Sequence, residues 1–235
     1  MRVATFNIHK GAPEAGRVDH DALVETCASL DADVLGLQEV ESRHRRSWFR
    51  HQAALVARRL GYTFVDGPVI RSWPFGRYGN ALLARGAIRA VELLPLARTS
   101  PRQQRGAIVA RIELAGLDVT VAVTHLQHHG RRFADRPPEA PIQLRGLLDE
   151  LARRPAPRIL LGDLNLGATN AIPILTAAGF TVAPTAATFP ARQPRLVLDY
   201  VAVDGLHVVE SEVVPTLTSD HRAVVATLAP TDPVR

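Results

Sequence analysis

The chain has 235 residues, 46% of them hydrophobic and 22% charged, with a formal net charge of +5. That composition fits a globular chain able to bury a sizeable core and excludes disordered, collagenous and disulfide-stapled classes. With a single cysteine, Cys27, neither an internal disulfide nor a thiolate zinc cluster can form.

The amino terminus, "MRVATFNIHKG", enters strand-like alternation at once. It has no apolar signal region, and no apolar run reaches the ~20 residues of a membrane helix, so the expectation is a cytoplasmic protein. Nothing in the pattern calls for an obligate protein partner. Nearly all the basic residues are arginine, and Lys10 is the sole lysine. Such enrichment can follow genomic base composition, so the charge fits a polyanionic substrate without naming it. The densest basic stretch, "SRHRRSWFRH" at residues 42–51, reads either as a phosphate-binding patch or as a solvated basic loop and helix start.

In chain order, residues 2–8 alternate as a strand, and residues 18–30 have helical spacing, with Val18, Leu23, Cys27 and Leu30 as apolar positions. Cys27 is thus expected in the core. Residues 33–37 form an apolar run ending in Gln38 and Glu39, and residues 48–60 predict a helix that stops at Gly61. Strands are predicted at 62–65, 80–84, 107–114 and 119–124. Pro137 and Pro138 close a polar loop, followed by a predicted helix at 142–151, a strand at 159–161, a helix at 170–178 and strands separated by turns from Leu196 onward. No linker or composition break divides the chain, which predicts one domain over residues 1–235.

Twice the chain runs strand, polar loop, helix, strand. The strands end in "TFN" and "LQE" in the first half and in "VTH" and "GDLN" in the second. This predicts a pseudo-symmetric pair of sheet-and-helix units packed face to face, with the polar tips meeting at one edge. Each tip also has a simpler explanation. Asn7 suits a strand-end turn, and Glu39 needs either a metal or an arginine, because a carboxylate after an apolar run risks unpaired burial. His125 could be a satisfied core histidine, and Asp163 and Asn165 in "RILLGDLNLG" are favoured turn residues. If the backbone stays extended there, Asp163 and Asn165 share one side of it. Asp199 is an acid within the apolar run "RLVLDYVAV", and Asp220 and His221 in "TSDHRAVVATL" precede a final strand. Taken together, these hard oxygen donors suit Mg²⁺ or Mn²⁺ rather than zinc, and an acid paired with a histidine suits base chemistry.

The ordered set "TFNIHKG", "LQEV", "YGNALLAR", "QQRGA", "THLQ", "GDLN", "LDYV" and "SDHRAV" resembles the endonuclease/exonuclease/phosphatase superfamily. That superfamily includes DNase I-like nucleases, apurinic endonucleases, inositol-polyphosphate 5-phosphatases and neutral sphingomyelinases, and the chain is most similar to its small stand-alone bacterial members. The resemblance implies a four-layer α/β sandwich, two packed mixed β-sheets flanked by helices, with the site at one sheet edge. It implies Glu39 as the principal Mg²⁺ ligand (Mn²⁺ as an alternative), with Asn7 beside it and Asp220 contributing. By the same resemblance, Asp163 orients or activates the attacking water, Asn165 holds a phosphate oxygen, and His221, supported by Asp199, acts as base or offsets developing charge. His125 binds the phosphate from the opposite side, and Asn80 and Arg105 lie at the rim.

The implied activity is metal-dependent hydrolysis of a phosphodiester or phosphomonoester in nucleic acid, phospholipid or a small phosphate ester. A catalytically inactive phosphate- or nucleic-acid-binding module is the alternative. Two departures argue against a dedicated DNA-repair role: His9 stands where apurinic endonucleases carry an acid, and "GRYGNALL" lacks the acid that partners the counterpart of His125 in DNase I-like nucleases. The "YGNALLAR" stretch is also similar to that of bacterial members linked to phospholipids.

Overall fold

The computed structural model describes residues 1–13, 16–72, 76–99, 101, 103–114, 116–130 and 138–231. The first half contains β1 (Arg2–Asn7), α1 (His20–Ser29), β2 (Val34–Ser42), α2 (Gln52–Leu60), β3 (Thr63–Ser72), β4 (Gly76–Ala84) and β5 (Ala87–Pro95). There follow β6 (Gly106–Leu114), β7 (Leu117–His125), α3 (Ala140–Ala152), β8 (Arg158–Asp163), α4 (Ala168–Ala177), β9 (Thr181–Val182), β10 (Asp199–Asp204), β11 (Leu206–Val214) and β12 (Ala223–Pro230). One sheet has the order β11-β12-β1-β2-β4-β3 and the other β5-β6-β7-β8-β10-β9. Both are mixed, because β1 pairs parallel with β2 across α1 and β7 pairs parallel with β8 across α3, while their other neighbours run antiparallel. The repeated strand–helix–strand unit expected from sequence is therefore present once in each sheet.

Three apolar clusters make the four layers of an α/β sandwich. Leu23, Cys27 and Val56 of α1 and α2 pack on Ala4, Phe6 and Leu37 of the first sheet. Leu144, Leu147 and Leu175 of α3 and α4 pack on Ala122, Leu160 and Ala202 of the second. Between the sheets lie Val3, Val34, Val121, Val123, Ile159, Leu161, Val201 and Val203. Strand side chains alternate between faces, so each central strand sends one set outward to a helix and the other inward to the opposite sheet. Cys27 is fully buried, and burial pushes its thiol up to about 12, so it packs as a small apolar residue.

Helix starts follow local chemistry. The Asp19 side chain accepts from the N–H groups of Asp21 and Ala22 at the start of α1. The helix expected at 48–60 begins only at Gln52, where His51 accepts from the Ala54 N–H, and it ends at Gly61 with φ 75°. Residues 45–47 form a 3₁₀ turn, and Trp48 and Phe49 take left-handed backbone angles that no helix accommodates. β5 was not expected. A register shift between Arg89 and Glu92 breaks its alternation, and most of its side chains face solvent. β3 and β4 run longer than their apolar segments. Of the two prolines expected to close the loop before α3, Pro137 lies outside the described residues.

Gly36 of β2 faces the second sheet at a close approach: a Cβ there would stand 3.0 Å from Leu161 Cβ and 3.1 Å from Val123 Cγ2. Gly36→Val is expected to lower stability by about 1–3 kcal/mol through overpacking. Gly146→Ala, in α3 with open space around it, should raise stability by about 0.5–1 kcal/mol. Urea midpoints at constant m-value check both.

Candidate active site

The face of each sheet that builds the inter-sheet core changes character at one end. Along β1 it reads Val3, Thr5, Asn7; along β7, Val121, Val123, His125; along β8, Ile159, Leu161, Asp163; and along β10, read toward its start, Val203, Val201, Asp199. The pairing registers Asn7↔Gln38, His125↔Asp163 and Asp163↔Asp199 bring these ends to a common edge. Asp199 is thus the first residue of its strand rather than an acid in mid-strand, as its run suggested.

Asp163 is at the centre. Its carboxyl is buried, Oδ1 accepts the backbone N–H of Asn165 at 3.0 Å, and Oδ2 accepts Asn7 Nδ2 at 3.0 Å from the other sheet. His125 Nε2 stands 3.4 Å and His221 Nε2 3.8 Å from the same Oδ2. Burial pushes Asp163 up to about 7, the Asp199 carboxylate adds to this, and His221, Asn7 and the Asn165 N–H hold it from going higher. His221 Nδ1 meets Asp199 Oδ2 at 2.8 Å. Burial disfavours its charge, but the Asp199 and Asp163 carboxylates outweigh burial and raise it to about 10, so His221 is an imidazolium at neutral pH. His125 goes the opposite way, well below the ordinary histidine value, because burial and the nearby Arg105 both disfavour its charge.

Glu39 sits in a register shift of β2 against β4, with φ 59°, which turns its side chain out of the strand alternation. Its Oε2 is buried and accepts no well-formed hydrogen bond from any described residue, while Lys10 Nζ stands 3.1 Å away as an ion pair. Burial opposes the charge, yet Lys10, His9 and Tyr78 hold the carboxyl below its ordinary value. The arginine that was one candidate partner for Glu39 is thus a lysine. Lys10 is itself placed by Gln52, whose Nε2 donates to the Lys10 carbonyl at 2.6 Å while its Oε1 accepts the Glu41 N–H.

Several expected residues occupy places the sequence did not suggest. β8 ends at Asp163, and Asn165 has φ 49°, so the two do not share an extended strand. Asp163 folds back on the Asn165 N–H as an Asx turn, so these residues form both a turn and part of the cluster. Asn165 Nδ2 donates to the Leu126 carbonyl at 3.0 Å, which keeps the residue beside β7. Asn80 and Arg105 are buried rather than at a rim. Asn80 Nδ2 donates to the Gly106 carbonyl, and Arg105 Nε has no hydrogen-bond partner among the described residues. Asp220 is partly exposed, with Oδ1 3.7 Å from His9 Nδ1.

Other residues that build the edge escaped sequence reading. Ser219 Oγ donates to the Asn7 carbonyl at 2.6 Å and accepts the His221 N–H at 3.0 Å, clamping the loop before β12 to the tip of β1. Thr188 Oγ1 accepts the Asp199 N–H, and the Thr188 carbonyl accepts the Arg222 N–H, which joins Asp199 and His221 through a third segment. The Phe189 ring lies 4.8 Å from the His221 ring, a favourable place for a cation over an aromatic face. Ser219 lies inside a quoted motif and was findable; Thr188 and Phe189 sit in a loop without periodicity.

Ligand atoms of Asp163, Asp199 and His221 lie within 4.8 Å of one another, close enough for a cation. Without a cation, the His221 charge balances the two carboxylates. Glu39 offers a further buried hard oxygen to a cation, the Oε2 that stands beside the Lys10 ammonium.

A model of the endonuclease/exonuclease/phosphatase family matches residues 4–221. Among solved structures, an endonuclease/exonuclease/phosphatase from Beutenbergia cavernae is 22% identical with a TM-score of 0.79, covering 100% of this chain and 73% of its own. The human Nocturnin catalytic domain with bound sulfate is 23% identical with a TM-score of 0.74, covering 98% and 93%. D. rerio TDP2 complexed with a single-strand DNA product is 16% identical with a TM-score of 0.76, covering 97% and 98%. Among curated proteins none matches the sequence.

The His221–Asp199 pair has a definite pH signature. Folding raises His221 from 6.5 to about 10, so its contribution to stability is fully present below about 6.5 and is lost as pH rises through about 10. In Asp199→Asn the imidazolium should titrate near the ordinary histidine value, and this alkaline loss of stability should shrink. Imidazole ¹⁵N chemical shifts and denaturation curves between pH 6 and 10 check both.

Proposed function

Because this chain belongs to the endonuclease/exonuclease/phosphatase family, we propose that it is a Mg²⁺-dependent phosphodiesterase whose attacking water is activated by Asp163. The observation that carries this reading is the convergence of Asn7, His125 and His221 on one buried carboxyl held near neutrality. A base is most effective when its pKa lies near the working pH.

The residues present fit a divalent ion. Glu39, whose buried Oε2 meets the Lys10 ammonium, would hold it together with Asn7 and Asp220, and Mn²⁺ would serve the same oxygen donors. An ion so held would draw charge from a non-bridging phosphoryl oxygen and ease attack at phosphorus.

The chain's own groups account for the rest of the reaction. Asp163 is fixed in orientation through both oxygens and takes the proton of a water attacking in line. His221 keeps Nδ1–H on Asp199, which leaves Nε2–H to face the equatorial phosphate oxygens as their charge grows; held protonated, it serves as charge stabiliser rather than as base. Asn165 has one amide hydrogen tied to Leu126 and the other free for a phosphate oxygen. Neutral His125 donates from the β7 side, and the buried Arg105 guanidinium adds positive potential behind it, with Asn80 beside it on the Gly106 carbonyl. No covalent intermediate is required. Phosphodiesters of this kind occur in nucleic acid, as in the single-strand DNA product bound to the TDP2 neighbour, and in lipid headgroups.

Hydrolysis of bis(p-nitrophenyl) phosphate should require Mg²⁺ or Mn²⁺, cease on chelation and return on re-addition. Glu39→Gln, Asp163→Asn and His221→Ala should each lower kcat by about 10²–10³-fold while circular dichroism stays unchanged. Undiminished turnover in these variants would remove the mechanism, and no turnover with either metal would favour a phosphate-binding module.

A further inference from the structure

The three most exposed large apolar side chains among the described residues are Leu217 (89%), Trp48 (72%) and Phe49 (67%). They come from two loops far apart in sequence and flank the same catalytic edge. Trp48 and Phe49 line a cavity of about 940 Å³ together with His9, Lys10 and Pro13. Leu217 lines a neighbouring cavity of about 250 Å³ with Pro13, Ser219 and Asp220. Pro13 is common to both, and the His9–Asp220 contact links them at their base.

The exposure of Trp48 and Phe49 is built in. Both are non-glycine residues with left-handed backbone, φ 52° and 57°, a conformation that persists only where its surroundings enforce it. Backbone N–H groups of Trp48, Phe49 and Arg50 donate to the carbonyls of Arg45, His44 and Ser47, and Arg46 is anchored on the fully buried Glu41. The loop therefore holds two aromatic rings outward in a fixed frame. Around the rings, Arg17 and Arg45 line the larger cavity and Arg192 the smaller, and none of these three forms an ion pair with a described residue.

Exposed tryptophan and phenylalanine beside unpaired arginines suit two polyanions, nucleic acid and an anionic membrane surface. Base stacking would account for the rings. It would not account for Leu217, which has no π face and is the most exposed of the three. An interfacial surface accounts for all of them: aromatic rings settle at headgroup depth, an aliphatic tip enters the acyl boundary, and arginines meet anionic headgroups. We propose that the rim of Trp48, Phe49 and Leu217, ringed by Arg17, Arg45 and Arg192, docks the protein on an anionic lipid bilayer. On the phosphodiesterase reading above, on which this last step rests, docking turns the catalytic edge toward headgroup phosphates.

The test uses the full chain with vesicles of equimolar phosphatidylglycerol and phosphatidylcholine. The protein should float with these vesicles, and Trp48→Ser/Phe49→Ser/Leu217→Ser should weaken that association by roughly tenfold or more while leaving hydrolysis of soluble bis(p-nitrophenyl) phosphate unchanged. In a Trp73→Phe background Trp48 is the sole tryptophan, and its emission should shift to the blue on vesicle addition. Absence of flotation, equal flotation of the triple variant, or a Trp48 response to single-stranded oligonucleotide and not to vesicles overturns the proposal. Flotation without hydrolysis would support the docking surface and remove the catalytic reading; hydrolysis without flotation would do the reverse.

Discussion

Asp163 brings a carboxyl into the space between two packed sheets, where a charge must be met by donors or given up. Around it the structure supplies an amide from the opposite sheet, a backbone N–H from its own turn and two histidine rings. Each of these in turn requires a tertiary contact: Asn7 the parallel pairing of β1 and β2, His221 the Ser219 clamp and Asp199, His125 the pairing of β7 with β8. The apolar face between the sheets, continuous from Val3 to Leu161, fixes those strands relative to one another. The same alternation that buries valine and isoleucine in mid-strand delivers polar tips to the edge.

Backbone strain follows the same geography. Nine non-glycine residues have positive φ among the described residues. His9, Lys10, Glu39 and Asn165 lie at the polar edge that holds Asp163, and Arg43, Trp48 and Phe49 lie in the loop beside it; Asp31 and Ala90 lie elsewhere. Such conformations each cost of order 1–3 kcal/mol and persist where the surrounding fold over-determines them. Here they have a visible consequence. The left-handed turn at Glu39 takes its carboxyl off the strand alternation, and the one at Asn165 returns its N–H to Asp163.

The layers were legible because periodicity reports which face is buried. The strand tips at Asn7, His125 and Asp163 stood out because polar residues ended apolar runs, as did Glu39, although β2 continues past it to Ser42 through a register shift. The extended reading of "GDLN" failed at Asn165 because asparagine tolerates left-handed backbone, and Asp163 has an N–H to capture two residues on. The helix expected from Trp48 failed because an apolar aromatic pair counts toward a helical stripe whether or not it is buried. Lys10, Thr188 and Phe189 could not be placed, since their importance lies in contacts across long sequence separations. Lys10 reaches Glu39, and Phe189 reaches His221, only in the folded chain.

The two strand–helix–strand units do not duplicate each other chemically. The first, in one sheet, presents Asn7 and Glu39, oxygen donors suited to a cation; the second, in the other, presents His125 and Asp163, groups suited to moving a proton. Asn7 to Asp163 and His221 to Asp199 are both bonds across the gap between sheets. Neither pair can form within one sheet, so the protonation states of Asp163 and His221 depend on the sheets being in register. The inter-sheet packing is therefore part of what sets the charge at this edge. A small change at a residue such as Gly36, packed on Leu161 and Val123 one step inward from Asp163 and His125, would reach the proposed chemistry through the alignment of these two bonds before it unfolded the chain.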